Sequence, residues 1–110
     1  MSEMKTLREI CERTGAPRRA IQGYEKAGLV KPVGRNKYGY LLYDDGEEEK
    51  IRKIRFLQRI GFTVREIEVI FRDDDETVRE KLLARVKAME DETRDKMELI
   101  EKTKKILEEM

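Results

Sequence analysis

Apolar residues recur along this chain at helical spacing for most of its length, with one short interruption of strand-like character. Leu7, Ile10, Cys11 and Thr14 share one helical face, so the pattern predicts a first helix that buries them together. Thr6-Leu7-Arg8-Glu9 supplies its start as a capping box, in which Thr6 caps the helix and Glu9 reaches back to the Thr6 amide. Gly15 stops this helix, and Pro17 suits the first turn of a second one. That second helix turns Ala20, Ile21 and Tyr24 inward and ends at Gly28. Two short helices joined by a tight glycine-containing turn are a helix-turn-helix pattern.

Between Lys31 and Tyr43 the period changes. Pro32 and Gly34-Arg35-Asn36-Lys37 are turn material, and Tyr40-Leu41-Leu42-Tyr43 has the aromatic and branched content of a strand. Lys31-Pro32-Val33 is expected to pair with it as a two-stranded wing, basic at its tip. A third helix then runs from Asp44 or Asp45 to Gly61 with Ile51, Ile54 and Leu57 inward and Arg52, Arg55 and Arg59 outward. Thr63-Val64-Arg65-Glu66 forms a second capping box and starts a fourth helix, with Val64, Ile67, Ile70 and Phe71 inward. Asp73-Asp74-Asp75 closes that helix and places acid at the positive end of the next.

From Glu76 to Met110 there is neither Gly nor Pro, which permits one helix of roughly 50 Å. Leu82, Val86, Met89, Thr93, Lys96, Ile100, Thr103, Leu107 and Met110 step by alternating four and three, a heptad seam interrupted at Lys96. A lone helix cannot bury such a stripe, so a partner helix is expected. The pattern therefore predicts a mainly α protein: residues 1–75 as a winged helix-turn-helix domain and residues 76–110 as a dimerisation helix, with Leu82, Val86, Met89, Ile100 and Leu107 at the dimer seam.

Composition narrows the chemistry. Charged residues make up 45% of the chain and apolar ones 38%, a balance suited to thin amphipathic helices. No apolar run has the length of a membrane span and no signal-peptide pattern opens the chain, so a cytoplasmic protein is expected. The first 43 residues hold nine Lys/Arg against four Asp/Glu, while the net charge of the whole is +1. That early basic excess is the footprint expected of nucleic-acid binding. There is no histidine, which removes the usual general base, imidazole ligand and near-neutral switch. The single cysteine, Cys11, falls on the inward face of the first helix and reads as a small hydrophobe rather than a sensor. Thiolate metal binding needs further ligands, and Asp73-Asp74-Asp75-Glu76 lacks the spacing and central glycine of a calcium loop. No nucleophile–base pair or phosphate-cradling glycine loop is visible, so neither catalysis nor a cofactor is expected.

The order of blocks resembles the MerR family of transcription regulators. Thr14-Gly15-Ala16-Pro17-x-Arg19-x-Ile21-x-x-Tyr24-Glu25-Lys26-x-Gly28-Leu29-Val30 is similar to that family's helix-turn-helix. Gly39-Tyr40 followed by Tyr43 is similar to its wing, and Arg55-x-Leu57-x-x-x-Gly61-Phe62-Thr63-x-x-Glu66-Ile67 to its second helix pair. The resemblance runs from residue 5 to about 72. It departs at Pro17, where the family usually has Ser or Thr, and at Gln22 and Gly23, where basic and aromatic residues are common. Leu41 stands where the family wing usually offers Arg, and no cysteine loop or ligand domain follows the long helix within these residues.

The resemblance implies a homodimer on double-stranded DNA, paired through an antiparallel coiled coil on a pseudo-palindromic promoter that it bends or untwists, with RNA polymerase as a further partner there. Arg18 and Arg19, in the first turn of the second helix, would enter a major groove with Gln22, where guanidinium can pair with guanine or grip phosphate. Arg35, Lys37 and Tyr40 would meet the backbone beside it. For Tyr24 two readings stand open: hydroxyl on phosphate, or a core aromatic. Two alternatives to a minimal regulator also stand open, a DNA-binding fragment of a longer effector-sensing regulator and a coiled-coil adaptor without DNA binding.

Overall fold

The computed structural model describes residues 3–110. In chain order its elements are β1 (Lys5–Thr6), α1 (Leu7–Thr14), α2 (Arg18–Lys26), β2 (Gly34–Arg35), β3 (Leu41–Tyr43), α3 (Asp45–Arg59), α4 (Val64–Ile70) and α5 (Asp75–Glu108). They fall into two compact units, divided after Arg72. The mainly helical architecture with a small antiparallel wing and a long terminal helix is as the pattern predicts. Among the described residues no helix is long and apolar enough to cross a membrane.

Both capping boxes form. The Thr6 hydroxyl accepts from the Glu9 amide at 3.3 Å while Glu9 accepts from the Thr6 amide at 3.0 Å. Thr63 and Glu66 repeat the exchange at 3.2 and 2.9 Å. These hydrogen bonds satisfy amides that a helix start would leave open. The Glu9 carboxyl is held below its ordinary range, first by the Thr6 amide and then by its hydroxyl. At the other end of α1, Gly15 adopts φ 74° and returns its amide to the Cys11 carbonyl. A side chain there would be strained, so the turn into α2 depends on glycine.

The wing is a three-stranded antiparallel sheet in the order β1-β3-β2, rather than the expected pair of strands. Lys5 and Thr6 pair with Tyr43 and Leu42, and Gly34 and Arg35 pair with Leu42 and Leu41. The expected strand at Lys31-Pro32-Val33 is displaced toward the tip. Pro32 has no amide to donate, and bonding to β3 begins with Val33, whose N–H reaches the Leu42 carbonyl at 2.8 Å. The two residues of β1 are too few to show alternation, so nothing in their pattern announces a strand.

The core of this first unit is assembled from one face of each helix and the end of β3. Ile10, Ile21, Tyr24, Tyr43, Ile51, Ile54 and Ile67 are essentially inaccessible. Each such side chain contributes about 1.5–3 kcal/mol on burial, whereas an exposed ion pair contributes about 0–1, so apolar packing dominates this unit. The face predicted for α1 is only partly covered: Ile10 is buried, but Leu7, Cys11 and Thr14 are half-buried.

Three charged side chains are also buried: Lys5, Glu47 and Glu48. Glu48 accepts from Lys5 at 2.9 Å, Arg13 at 3.0 Å and Arg52 at 2.7 Å, tying β1 and the end of α1 to α3. Burial alone would raise its carboxyl, but the three cationic donors override that and hold it at about 2. The Lys5 ammonium, bonded to Asp45 and Glu48, is raised in turn. Glu47 accepts the Lys31 amide at 3.1 Å and the Lys50 ammonium at 3.0 Å, anchoring the chain where it enters the wing.

The second unit is α5. Asp74 caps it by accepting the Thr77 amide at 2.9 Å, and Asp73 pairs with Lys81 at 2.6 Å. The acid run that closes α4 thus serves the next helix, as its position predicts. No residue of α5 is buried, and Leu99, Ile100, Ile106 and Leu107 are all more than half exposed.

Candidate nucleic-acid interface

The second helix of the helix-turn-helix has no side-chain cap. Pro17 precedes it and makes no capping hydrogen bond, although its carbonyl accepts the Ala20 amide at 3.0 Å. The turn before it is fixed instead by Thr14, whose hydroxyl donates to the Ile10 carbonyl at 2.7 Å and accepts the Ala16 amide at 3.2 Å. Ala16 is buried against the core. Beyond this turn Arg18, Arg19 and Gln22 are exposed on one side of α2 while Ile21 and Tyr24 are buried on the other. Gly23 is exposed, and a Cβ built on it would meet nothing within 4 Å.

Tyr24 resolves toward packing. Its ring is 1% exposed and its hydroxyl donates to Gln58 at 2.5 Å, so the side chain faces α3 and offers no free hydroxyl at the surface. Tyr43 is equally buried and donates to Glu25; burial first, then this carboxylate, pushes its phenol well above the ordinary value. These two phenols join α2 to α3 and to the wing.

The wing tip is organised by Asn36. Its side-chain oxygen accepts the amides of Tyr38 at 2.9 Å and Tyr40 at 3.0 Å, and its backbone bonds with Tyr40 and Gly39 close the turn. Gly39 takes φ 84°, and the Arg35 guanidinium donates to its carbonyl at 2.8 Å. Arg35, Lys37, Tyr38 and Tyr40 are exposed around this turn. The Lys37 ammonium stands 5.2 Å from the Tyr38 ring centre, and the Tyr38 and Tyr40 rings lie 6.5 Å apart. Tyr38 escapes a reading by motif, because its place at the tip depends on a turn closed by the Asn36 and Arg35 bonds.

Of the residues singled out from sequence, Arg18 and Tyr40 are brought together. They line a common cleft of about 470 Å³ with Thr6, Leu7 and Leu41. Arg8 lies on the same cleft and adds a cation that the capping-box reading of its segment conceals. Arg19 and Gln22 lie on α2 outside it, and Arg35 and Lys37 belong to the wing tip. The result is a basic, aromatic-edged surface on a rigid support, with the charge pattern a phosphate backbone attracts and forked donors suited to base edges.

The family model described as MerR HTH family regulatory protein matches residues 5–74. The chain belongs to the MerR family. A Haemophilus influenzae protein described as a probable heavy metal-dependent transcriptional regulator is 33% identical over 61 residues, covering 56% of this chain and 48% of its own. The mercuric resistance operon regulatory protein of Bacillus cereus is 30% identical over 70 residues, covering 60% and 53%. The chain thus spans about half the length of the curated relatives it matches. Among solved structures, the N-terminal part of the Bacillus subtilis multidrug transporter activator MtaN superposes with a TM-score of 0.69 at 22% identity, covering 94% of this chain and 97% of that one. HiNmlR, a MerR family regulator lacking the sensor domain and bound to promoter DNA, gives 0.67 at 22%, covering 90% and 86%. Both likenesses are of fold.

Arg52, Arg55 and Arg59 border a groove of about 610 Å³ with Thr14, Phe56 and Gln58. Arg52 is engaged by Glu48 and by the Arg13 carbonyl at 3.1 Å, and Arg55 donates to the Gly15 carbonyl at 3.3 Å. The face of α3 expected to point outward is therefore also a contact with the helix-turn-helix turn.

Proposed function

We propose that this protein is a sequence-specific transcription regulator that binds double-stranded DNA as a homodimer on a pseudo-palindromic promoter site. The observation that carries the reading is the exposed set Arg18, Arg19 and Gln22 on α2, flanked by Arg35, Lys37 and Tyr40 on a wing held rigid by Asn36. Arg18, Arg19 and Gln22 enter a major groove, and the wing residues grip the adjacent backbone. Tyr24 contributes by holding α2 against Gln58 rather than by touching DNA. No catalytic step and no cofactor belong to this function, and the setting is cytoplasmic.

Dimerisation falls to α5. Leu82, Val86, Met89, Ile100 and Leu107 form its seam, and Leu99 and Ile106, seven residues apart and also exposed, widen the apolar stripe toward the C-terminal end. The helices pair antiparallel, so the spacing of the two α2 helices is set by protein geometry. Where that spacing mismatches successive major grooves, the central base pairs bend or untwist, at a cost on the order of 1–6 kcal/mol offset by contacts on both half-sites. RNA polymerase at the promoter is the partner that reads this distortion.

A second reading is favoured by one observation, that the chain spans about half of its curated relatives. In it the same two units are the DNA-binding and dimerisation part of a longer effector-sensing regulator. A coiled-coil adaptor without DNA binding leaves the basic face of α2 and the wing unexplained.

Duplex binding under salt titration tests the main reading. Steep salt dependence with preference for one operator is expected, and absence of any preference among duplexes sinks it. Circular-permutation gel shifts test the distortion: mobility independent of site position means straight DNA and removes that step.

A further inference from the structure

Where α2 lacks a cap of its own, two guanidinium groups of α3 hold the turn that launches it. Arg52 donates to the Arg13 carbonyl at 3.1 Å and Arg55 to the Gly15 carbonyl at 3.3 Å. These carbonyls belong to the C-terminal end of α1, whose last acceptors have no partner within the helix and which carries the negative end of its dipole. Arg52 is itself held in place: its Nε and one terminal nitrogen both donate to Glu48, which also accepts from the Arg13 side chain. Arg13 is thus gripped at both ends, side chain by Glu48 and carbonyl by Arg52. Only Ala16 and Pro17 separate Gly15 from the first residue of α2.

We infer that Arg52 and Arg55 are positioning residues for Arg18 and Arg19: they fix the α1–α2 turn so that the start of α2 keeps one orientation. The inference rests on the DNA-binding reading for its functional consequence but not for its structural content. A guanidinium is needed because its planar fork can serve a carboxylate and a carbonyl at once, as Arg52 does. A lysine ammonium keeps the charge but has a single nitrogen, so it cannot reproduce the two-nitrogen fork on Glu48 that aims one of those nitrogens at the Arg13 carbonyl. Arg52 is exposed and Arg55 half-buried, and both donate to the same turn, so their loss should disturb local order at that turn more than the core amides.

Two measurements on the full chain test this with the variants Arg52→Lys, Arg55→Lys and Arg55→Gln. Amide hydrogen exchange without DNA should quicken about five- to tenfold at Ala16, Ala20 and Ile21, the scale of a hydrogen bond or two, with Ile54 and Ile67 unchanged. Unchanged exchange at the turn overturns the inference whatever happens on DNA. On DNA, the ratio of operator to random-duplex affinity should fall about tenfold in the lysine variants, the scale of one lost bidentate base contact, at an unaltered salt slope. If the lysine variants keep the ratio while Arg55→Gln loses about one unit of salt slope on every duplex, Arg55 grips phosphate directly and the inference is overturned. If the unaltered chain shows no operator preference, the DNA-binding reading fails instead, and the exchange measurement alone decides whether the arginines position α2.

Discussion

The unit ending at Arg72 and the helix that follows draw on much the same residues, Ile, Leu, Glu, Lys and Arg, and use them in opposite ways. In the first unit isoleucines from α1, α2, α3 and α4 are covered completely, and even two glutamates and a lysine are drawn inside. In α5 no residue is buried: Ile100, Ile106 and Leu107 stand in solvent beside the charged residues. The first unit is stabilised by contacts between elements far apart in sequence. The second is stabilised by its own backbone hydrogen bonds, its Asp74 cap and local charge pairs. Amphipathic pattern alone does not say which regime applies. What decides is whether short helices and turns bring a second apolar face within reach of the first.

The hardest test of that contrast is to remove one side of it. Deleting residues from Arg79 onward should leave a folded monomer with near-native melting, while operator affinity falls at least about a hundredfold through loss of two-site binding. Light scattering and titration read the two outcomes separately; a truncated chain that still dimerises removes α5 from the interface. Next in size, Ile54→Ala should cost about 2–5 kcal/mol in denaturant unfolding, since it opens a cavity in a side chain with no exposure. Ile100→Ala should leave the head's unfolding unmoved and weaken only the dimer. Equal effects at both positions would mean that α5 is not the independent element described.

Acid sharpens the comparison. The Glu48 carboxyl is depressed to about 2, so the stability it supplies is fully present above the ordinary value of 4.5 and is lost as pH falls toward 2. Unfolding of the head should weaken across that window, and Glu48→Gln should flatten the dependence while lowering stability at neutral pH. A wild-type midpoint that does not change between pH 5 and 3 would deny the buried cluster its role. Smaller still, Arg19→Ala should cost about 1–3 kcal/mol at the cognate site and relax base choice, whereas Lys37→Ala should lower the salt slope by about one on all duplexes. Cys11→Ala should change DNA affinity least of all, with or without reductant or zinc; a metal-dependent change abolished by this substitution would make Cys11 a sensor.

What could be read from sequence was what local chemistry specifies. Thr6 with Glu9, and Thr63 with Glu66, announced two helix starts that both form, and the absence of Gly and Pro after Glu76 announced α5. What escaped reading depends on partners distant in the chain. Glu47 and Glu48 sit in an acidic run that resembles solvated surface, and only the approach of Lys31, Lys5 and Arg13 buries them. The unexpected strand β1 is two residues whose only signal is the neighbour they pair with. Tyr24 left two readings open because a phenol suits either phosphate or core, and Gln58, which accepts its hydroxyl in the structure, lies on another helix.

Gly23 has one more consequence. It stands on the exposed side of α2, and no neighbour crowds the place its Cβ would occupy. A new side chain there should raise helix stability by about 1 kcal/mol rather than disturb the fold. The position is a vacancy at the centre of the surface proposed to choose the operator. A single substitution can therefore add or change a base contact without any repacking, so binding preference can evolve, or be redesigned, at this one position while the core beneath it stays the same.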